Sequence, residues 1–358
     1  MGSKLHRSGV QLTLAAIVVG LMACASGAFA SAAAGPPALM TYIAGLPTSP
    51  SVWVADAGDG SSARYLGQAS SAQISPDGGE VAAVSIEKST NAWTLSLYST
   101  VAATAPSTII PKRPQPMNLL AWSPDSRLIL VTVGTSPAQL MIVDTTTGQS
   151  RAIATGVIYG ASFAPGPSDS VVYARAMLNR TAVNIYTTSS AGTDTHQLTS
   201  DGHSEDPLWG PGGIIFSRAT ARPKNAYPEL QLWEMNADGS GAHQLPSVHV
   251  TSNLEGLIAV GSSLNGQHLL ANLVGPTGSN TAEPYVIGLS GHKPQWRDLT
   301  GQGSGYIGDA ISANGNRILV TKGTAKDLKA LSVVIFPWGP GGKPTTIVKQ
   351  GGYASWNQ

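Results

Sequence analysis

The chain repeats itself about every fifty residues, and a repeat of that length restricts the fold more than any other feature of the sequence. Residues 73–84 carry Ser-Pro-Asp-Gly before a hydrophobic stretch, and residues 121–131 carry Ser-Pro-Asp-Ser in the same place. With the apolar residue before the serine as an anchor, copies 41 to 51 residues apart are marked by Ile74, Trp122, Phe163, Trp209, Val260 and Ile311. Periods of about 40 to 50 residues are typical of β-propeller blades.

Within each copy the strand and turn signals follow the same order. After the turn comes a hydrophobic strand such as residues 128–133, then an alternating strand such as residues 140–144, and then a polar turn and a short last strand. The polar turns, such as Ala-Asp-Gly-Ser at 237–240, are rich in residues that accept positive φ or bond to their own backbone. Four antiparallel strands per repeat, with no amphipathic helix between them, predict an all-β propeller.

The two ends of the chain decide the predicted number of blades. Residues 352–356 match the innermost-strand phrase, while residues 39–45, 51–55 and 63–66 match the second, third and fourth strands of a blade that lacks its first. We therefore predict that one blade takes strands from both termini, which would resist opening of the ring. With Trp356 as a seventh anchor the prediction is a seven-bladed β-propeller, and six blades are the alternative.

The recurring residues of the repeat have structural explanations. Pro76 and Pro124 preset φ at their turns, and Asp77 and Asp125 can bond to their own turn backbone. The tryptophans at anchor positions are expected to fill the wedges between neighbouring blades. The aspartates of these turns are therefore not candidates for catalysis.

The N-terminal sequence predicts export. Lys4 and Arg7 precede an uncharged run, whose 14-residue apolar part at 10–23 is too short to span a bilayer comfortably. Cleavage after Ala-Phe-Ala at 28–30 would release a soluble protein, whereas Leu-Met-Ala-Cys at 21–24 resembles a lipobox that would acylate Cys24. The predicted division is a signal peptide at 1–30 (or a lipoprotein signal at 1–23), a short linker at 31–38, and one propeller domain at 39–358.

The composition excludes several classes of function. The 21 lysines and arginines are balanced by 20 aspartates and glutamates, and no long basic block occurs, so nucleic acid is not a predicted partner. A single cysteine excludes an internal disulfide framework and a cysteine-based zinc site.

Candidate binding residues come from the loops that lead into the innermost strands and those that join second to third strands, because in a propeller both surround one mouth of the central channel. These loops include residues 155–160, 201–206 and 301–309, and the longest covers residues 219–228. Two loops combine polar, charged and aromatic groups, and they supply the predicted ligand-binding residues His203, Glu205, Asp206, Arg222, Lys224 and Tyr227.

Further side chains could join them. His249, Glu255 and Asp309 could converge with the first loop as metal ligands or acid–base groups, or the loop could simply be solvated. Arg113 could hold an anion, and Tyr159 and Tyr306 could stack on a sugar or peptide side chain. No Ser-His-Asp order, phosphate loop or metal-ligand spacing is present, so the sequence predicts no catalytic residue, no metal site and no cofactor.

The Ser-Pro-Asp-Gly phrase and the hairpin Ala-Asp-Gly-Ser-Gly-Ala-His-Gln-Leu at 237–245 resemble the repeats of TolB-like propellers, also called WD40-like PD40 repeats. The sequence departs from TolB in its predicted seven blades instead of six and in lacking an N-terminal α/β domain of the TolB type. No Gly-x-Ser-x-Gly elbow of a propeller-linked peptidase occurs either.

Three functions compete at this point. The leading hypothesis is an exported binding and scaffolding module of the bacterial cell envelope, whose partner is an envelope protein, peptide or glycan and whose only membrane contact is a lipid anchor. The alternative is a propeller lyase or hydrolase with a metal or an acid–base site at the channel mouth. The third is a purely structural envelope module.

Overall fold

In a computed structural model the chain is described over residues 39–177, 181–220, 228–250, 254–275, 282–289, 296–300, 305–323, 328–338 and 342–357. These residues form 27 β-strands and one short 3-10 helix, Leu328–Ala330. None of the described helical structure is long or apolar enough to cross a membrane.

The strands pair in antiparallel groups of four, which we number as units 1 to 7. The first four units contain β1 (Leu39–Ala44), β2 (Ser51–Asp56) and β3 (Arg64–Gln68) in unit 1; β4 (Ser71–Ile74), β5 (Glu80–Glu87), β6 (Ala92–Ser99) and β7 (Ser107–Arg113) in unit 2; β8 (Met117–Trp122), β9 (Leu128–Gly134), β10 (Ala138–Asp144) and the first half of β11 (Ser150–Phe163) in unit 3; and the second half of β11, β12 (Ser170–Ala176), β13 (Val183–Ser189) and β14 (His196–Gln197) in unit 4.

The remaining strands complete the set. They are β15 (Ser204–Trp209), β16 (Ile214–Thr220), β17 (Glu229–Met235) and β18 (His243–Gln244) in unit 5; β19 (Gly256–Ser262), β20 (His268–Val274), β21 (Ala282–Gly288) and β22 (Trp296–Asp298) in unit 6; β23 (Tyr306–Ile311), β24 (Arg317–Lys322), β25 (Ser332–Pro337) and β26 (Thr345–Lys349) in unit 7; and β27 (Gly351–Trp356), which pairs with β1 in unit 1.

The innermost strand of each unit contacts the innermost strands of both neighbours. Their order is β4, β8, β11, β15, β19, β23 and β27, and β27 in turn contacts β4. This closed ring of four-stranded sheets is a β-propeller, so the predicted all-β propeller fold is confirmed. The seven units found among the described residues are the grouping that the seven-blade prediction requires.

Unit 1 joins the two termini, as the sequence predicts. β27 pairs antiparallel with β1, and Asn357 extends the pairing because its N–H donates to the Leu39 carbonyl over 3.1 Å while its Oδ1 accepts from the Leu39 N–H over 2.9 Å. The Ser355 hydroxyl accepts a hydrogen bond from the Ile74 N–H of β4 over 3.1 Å. The C-terminal strand therefore closes a sheet and also ties unit 1 to unit 2.

The repeated turns show why the serine and aspartate recur. The Ser123 hydroxyl donates to Asp125 Oδ1 over 2.5 Å and accepts from the Leu128 N–H over 2.8 Å. The same pair of bonds is made by Ser75, Ser263 and Ser312. Because Ser263 is the equivalent serine, the anchor of that copy is Ser262, and our placement of it at Val260 was two residues early.

The core consists of apolar layers between neighbouring units. Trp122 is 1% exposed in the layer between units 2 and 3, where its indole N–H donates to the Gln73 carbonyl over 3.2 Å. Trp356, 4% exposed, fills the layer between units 7 and 1, and the half-buried Trp209 lies against the layer between units 4 and 5. The anchor tryptophans thus have the wedge-filling role expected of them.

Two predicted loops are partly or wholly strand. Residues 155–160 lie inside β11, which runs from the outer edge of unit 3 into the innermost position of unit 4 without a loop. Asp309, placed by sequence in a loop at 301–309, lies within β23. Both errors arise because a strand that changes its pairing partner keeps an extended backbone, and no glycine–proline turn signal marks the change.

Candidate functional site

The innermost strands carry a recurring irregularity where they pair with the second strand of their sheet. Among the described strands, a register shift interrupts this pairing in six units, at β8, β11, β15, β19, β23 and β27. A bulge inserts extra residues into one strand and changes the direction in which their side chains point. The bulges therefore decide which side chains the innermost strands present.

Three of these bulges contain a residue with left-handed backbone geometry. The φ angles are +87° at Gly160, +50° at Asp206 and +54° at Tyr353. Glycine adopts this geometry freely, whereas for other residues it costs about 1 to 3 kcal/mol. The positions equivalent to Gly160 in units 5 and 1 thus hold side chains at a backbone cost.

Three carboxyl groups lie together where β15 and β19 begin. We call Glu205, Asp206 and Glu255 the carboxylate cluster. Glu205 is on the face of β15 that looks toward unit 6, because the hydroxyl of its register partner Ser217 donates to the Leu257 carbonyl of β19 over 2.9 Å. Glu255 directly precedes β19 and bonds through its backbone to Leu230 and Val274. Two strands from neighbouring units therefore bring the cluster together.

Burial and mutual repulsion keep protons on this cluster. Partial burial, reinforced by the charge of Glu255, raises the pKa of Glu205 to about 7. Burial raises the pKa of Asp206 well above its ordinary value, and the charges of Glu205 and Glu255 raise it further. A cluster that is partly protonated at neutral pH can both donate and accept hydrogen bonds, and it gains negative charge as the pH rises.

The other residues of the first predicted loop surround the start of β15. His203 is exposed, and its backbone N–H donates to Asp201 Oδ1 over 2.8 Å. Arg218, which the sequence analysis did not single out, pairs with Asp201 over 2.7 Å and lies 4.1 Å from the ring centroid of Trp233. Only the strand register shows that Arg218 is opposite Ser204.

The remaining candidates are dispersed or not described. Arg222, Lys224 and Tyr227 lie outside the described residues, as does the predicted lipidation site Cys24. His249 is exposed and Tyr159 is 36% exposed. Tyr306 packs edge-on against Phe336 with ring centroids 5.7 Å apart and has Lys322 Nζ 5.6 Å from its ring, so its ring is already occupied.

Asp309 is buried between β23, β24 and β27 instead of in solvent at the mouth. It is 3% exposed and accepts hydrogen bonds from the Thr321 hydroxyl over 2.6 Å and from the backbone N–H groups of Thr321 and Ala354. Burial nevertheless raises its pKa to about 8, and burial together with the nearby Asp309 charge raises the pKa of Tyr353 to about 12. Asp309 therefore links units 7 and 1.

Within the described part of the chain, no three histidine, cysteine, aspartate or glutamate side chains are arranged to hold a metal ion. The carboxylate cluster is the concentration of titratable groups that the fold places beside the innermost strands, and proton exchange and hydrogen bonding are the chemistry it can perform.

Gly160 tests how closely β11 supports the cluster. A Cβ at this position would lie 3.1 Å from Asp206 Cα and 3.3 Å from Asp206 Oδ1. Gly160→Ala should destabilise the protein by about 2 to 4 kcal/mol, since the left-handed backbone penalty adds to this close contact. Gly166→Ala is the matched control, because Gly166 also has positive φ, +76°, but nothing within 4 Å of an added Cβ. Equal losses in chemical denaturation would show that Gly160 does not press on Asp206.

Comparison with known proteins identifies the fold. No protein-family model matches the chain, and no curated protein sequence is significantly similar to it. Among solved structures, TolB from Acinetobacter baumannii has a TM-score of 0.52 at 14% identity over 89% of this chain. The match spans 66% of that TolB chain, just under two thirds.

Two other propellers are similar over most of their own length. The propeller domain of the Trilobed protease from Pyrococcus furiosus has a TM-score of 0.58 at 13% identity, covering 88% of this chain and 95% of that one. Oligogalacturonate lyase in complex with manganese has a TM-score of 0.62 at 11% identity, covering 85% and 86%. The chain thus has the β-propeller fold of TolB and of propeller enzymes, and identities this low establish that fold alone.

Proposed function

We propose that this chain is an exported β-propeller that acts as a binding and scaffolding module in the bacterial cell envelope. It is lipid-anchored through Cys24 or released after cleavage at residues 28–30, and its partner is an envelope protein, peptide or glycan. The structural likeness to TolB supports a binding role, while the closed ring supplies a rigid platform for it.

The carboxylate cluster is the observation that carries the proposal. Its three carboxyl groups lie where two innermost strands begin, which is the end of the propeller opposite the Ser-x-Asp turns. A ligand that offers amine or hydroxyl donors would satisfy these oxygens, and loss of protons from the cluster would strengthen its grip on an amine. The predicted residues His203, Arg222, Lys224 and Tyr227 would add contacts from the adjoining loops.

Substitution of the cluster should weaken partner binding without unfolding the protein. The double variant Glu205→Gln, Asp206→Asn should lower the affinity for a partner captured from an envelope extract by about tenfold or more, the effect expected when charge-assisted hydrogen bonds are lost. For the unsubstituted chain, binding of an amine-bearing partner should strengthen as the pH rises through about 7, where Glu205 loses its proton.

Asp238→Asn is the matched control for this experiment. Asp238 belongs to a Ser240-bonded turn between β17 and β18, and its carboxylate is exposed. Calorimetry of the captured partner should give the same affinity for this variant as for the unsubstituted chain. If the cluster variant bound as tightly as the control, the channel mouth would not be the binding surface.

A propeller lyase or hydrolase is the second candidate, and the pKa of Glu205 near 7 favours it because a general acid or base works best near the ambient pH. The structural similarity to oligogalacturonate lyase shows that this fold supports such chemistry in another protein. Chemical change of the captured partner by the unsubstituted chain, absent with Glu205→Gln, would establish the enzyme and displace the scaffold.

A further inference from the structure

Arg113 differs from every other described arginine. Those others are each held by a backbone carbonyl, a carboxylate or an aromatic ring, and they are Arg64, Arg127, Arg151, Arg175, Arg218, Arg297 and Arg317. Among the described residues Arg113 alone has no hydrogen bond from its side chain, no ion pair and no ring contact, and its Nε is buried without an acceptor. Its neighbour Lys112 is paired with Glu87 over 3.1 Å.

Trp93 is the register partner of Arg113 and has the same deficit. The two residues face each other on β6 and β7, and Trp93 is 8% exposed with its indole Nε1 buried and lacking an acceptor. Arginine and tryptophan side chains only donate hydrogen bonds, so neither can satisfy the other. Two adjacent buried donors, one of them charged, require an acceptor from outside the described chain.

The pair lies at the channel-mouth end of the seam between units 2 and 3. Arg113 is the last residue of β7, and β8 begins at Met117, so the pair sits where the chain enters an innermost strand. A bulge places Pro111 and Lys112 between the paired positions, and Trp93 belongs to the apolar layer shared with unit 3. Arg113 itself is half-buried, which leaves its guanidinium accessible from the mouth.

We infer that Arg113 and Trp93 form an oxyanion site that binds a carboxylate group of a ligand at the channel mouth. Guanidinium Nε and one Nη donate to the two carboxylate oxygens, and the indole N–H donates a third hydrogen bond. A planar carboxylate matches the edge of a guanidinium with two parallel bonds, which a single acceptor such as water cannot do. The site is separate from the carboxylate cluster and does not depend on the function proposed for it.

The test uses the full-length chain and sodium acetate as the probe. In ¹H–¹⁵N spectra, the indole resonance that Trp93→Phe removes should shift saturably with acetate, at constant ionic strength maintained with chloride. Arg113→Gln should weaken the apparent acetate affinity about tenfold, since a charge-assisted pair is lost. Trp93→Phe, followed through the Arg113 Nε–H resonance, should weaken it by about fivefold, because only a neutral donor is removed.

Arg127→Gln is the control variant, because Arg127 is an arginine already paired with Asp144, and it should leave the acetate response unchanged. A chloride-only titration that produced the same shifts, or an acetate response equal in Arg113→Gln and the unsubstituted chain, would overturn the inference. Tighter binding of inorganic phosphate than of acetate would overturn its assignment to carboxylates. Thermal melts of each variant show that the compared proteins are folded.

Discussion

Removal of residues 351–358 should abolish stable folding of the propeller at 37 °C. The deletion takes away β27, which is the innermost strand of unit 1 and the partner of β1. It also removes the buried Ala354 and Trp356 from the layer between units 7 and 1. Loss of a buried tryptophan alone costs about 3 to 5 kcal/mol, a large part of the roughly 5 to 15 kcal/mol that stabilises a typical domain.

Two milder variants show which part of β27 matters. Trp356→Ala keeps the strand pairing and should lower the free energy of unfolding by about 3 to 5 kcal/mol. Asn357→Ala loses only the Oδ1 bond to the Leu39 N–H and should cost about 1 kcal/mol. Urea denaturation followed by circular dichroism measures all three. A truncated chain with an unchanged unfolding midpoint would mean that the ring does not depend on closure by its termini.

Stability should fall as the pH rises from about 4 to about 8, and Asp309 should account for much of the loss. The folded-state pKa of Asp309 is about 8, against 3.8 for an ordinary aspartate, because the carboxyl group is buried. A raised folded pKa means that the stabilising contribution is complete below pH 3.8 and is lost as the pH rises through 8. Within that window one such group changes the free energy of unfolding by about 1.4 kcal/mol per pH unit.

Asp309→Asn should flatten this pH dependence, because the substituted side chain does not titrate. Glu205 and Asp206 have raised pKa values and retain a slope of the same sign, so the difference between the two proteins isolates Asp309. Asp59→Asn is the control: its exposed carboxylate has a lowered pKa owing to hydrogen bonds from Ser61, and the variant should keep the decline from pH 5 to 8. Parallel curves for Asp309→Asn and the unsubstituted chain would contradict the burial argument.

The sequence predicts those parts of the fold that local chemistry determines. The Ser-x-Asp turns recur because one hydroxyl and one carboxylate satisfy the same backbone groups in each copy, as at Ser123 and Asp125. The split unit 1 was predictable because β27 repeats an innermost-strand phrase. The long strand β11 was not, because its two halves pair with different sheets and an extended backbone carries no sign of the change.

The candidate site divides along the same line. Glu205 and Asp206 are adjacent in sequence, so their concentration was visible, and Glu255 was recognised as a neighbour from the blade repeat. Arg113 and Trp93 are twenty residues apart in sequence, and a bulge sets their register. Their proximity, and the lack of an acceptor for both, depend on pairing that composition and periodicity do not contain.

The unbroken course of β11 limits how this propeller could diversify. At the seam between units 3 and 4 the chain passes from one sheet to the next in a 14-residue strand, whereas six residues separate β14 from β15 at the following seam. A one-residue insertion in β11 would turn the side chains of one half to the opposite face of their sheet. Changes of loop length that create new specificities are therefore open to descendants of this chain at other seams, while evolution at this one is confined to exchanging side chains such as Tyr159.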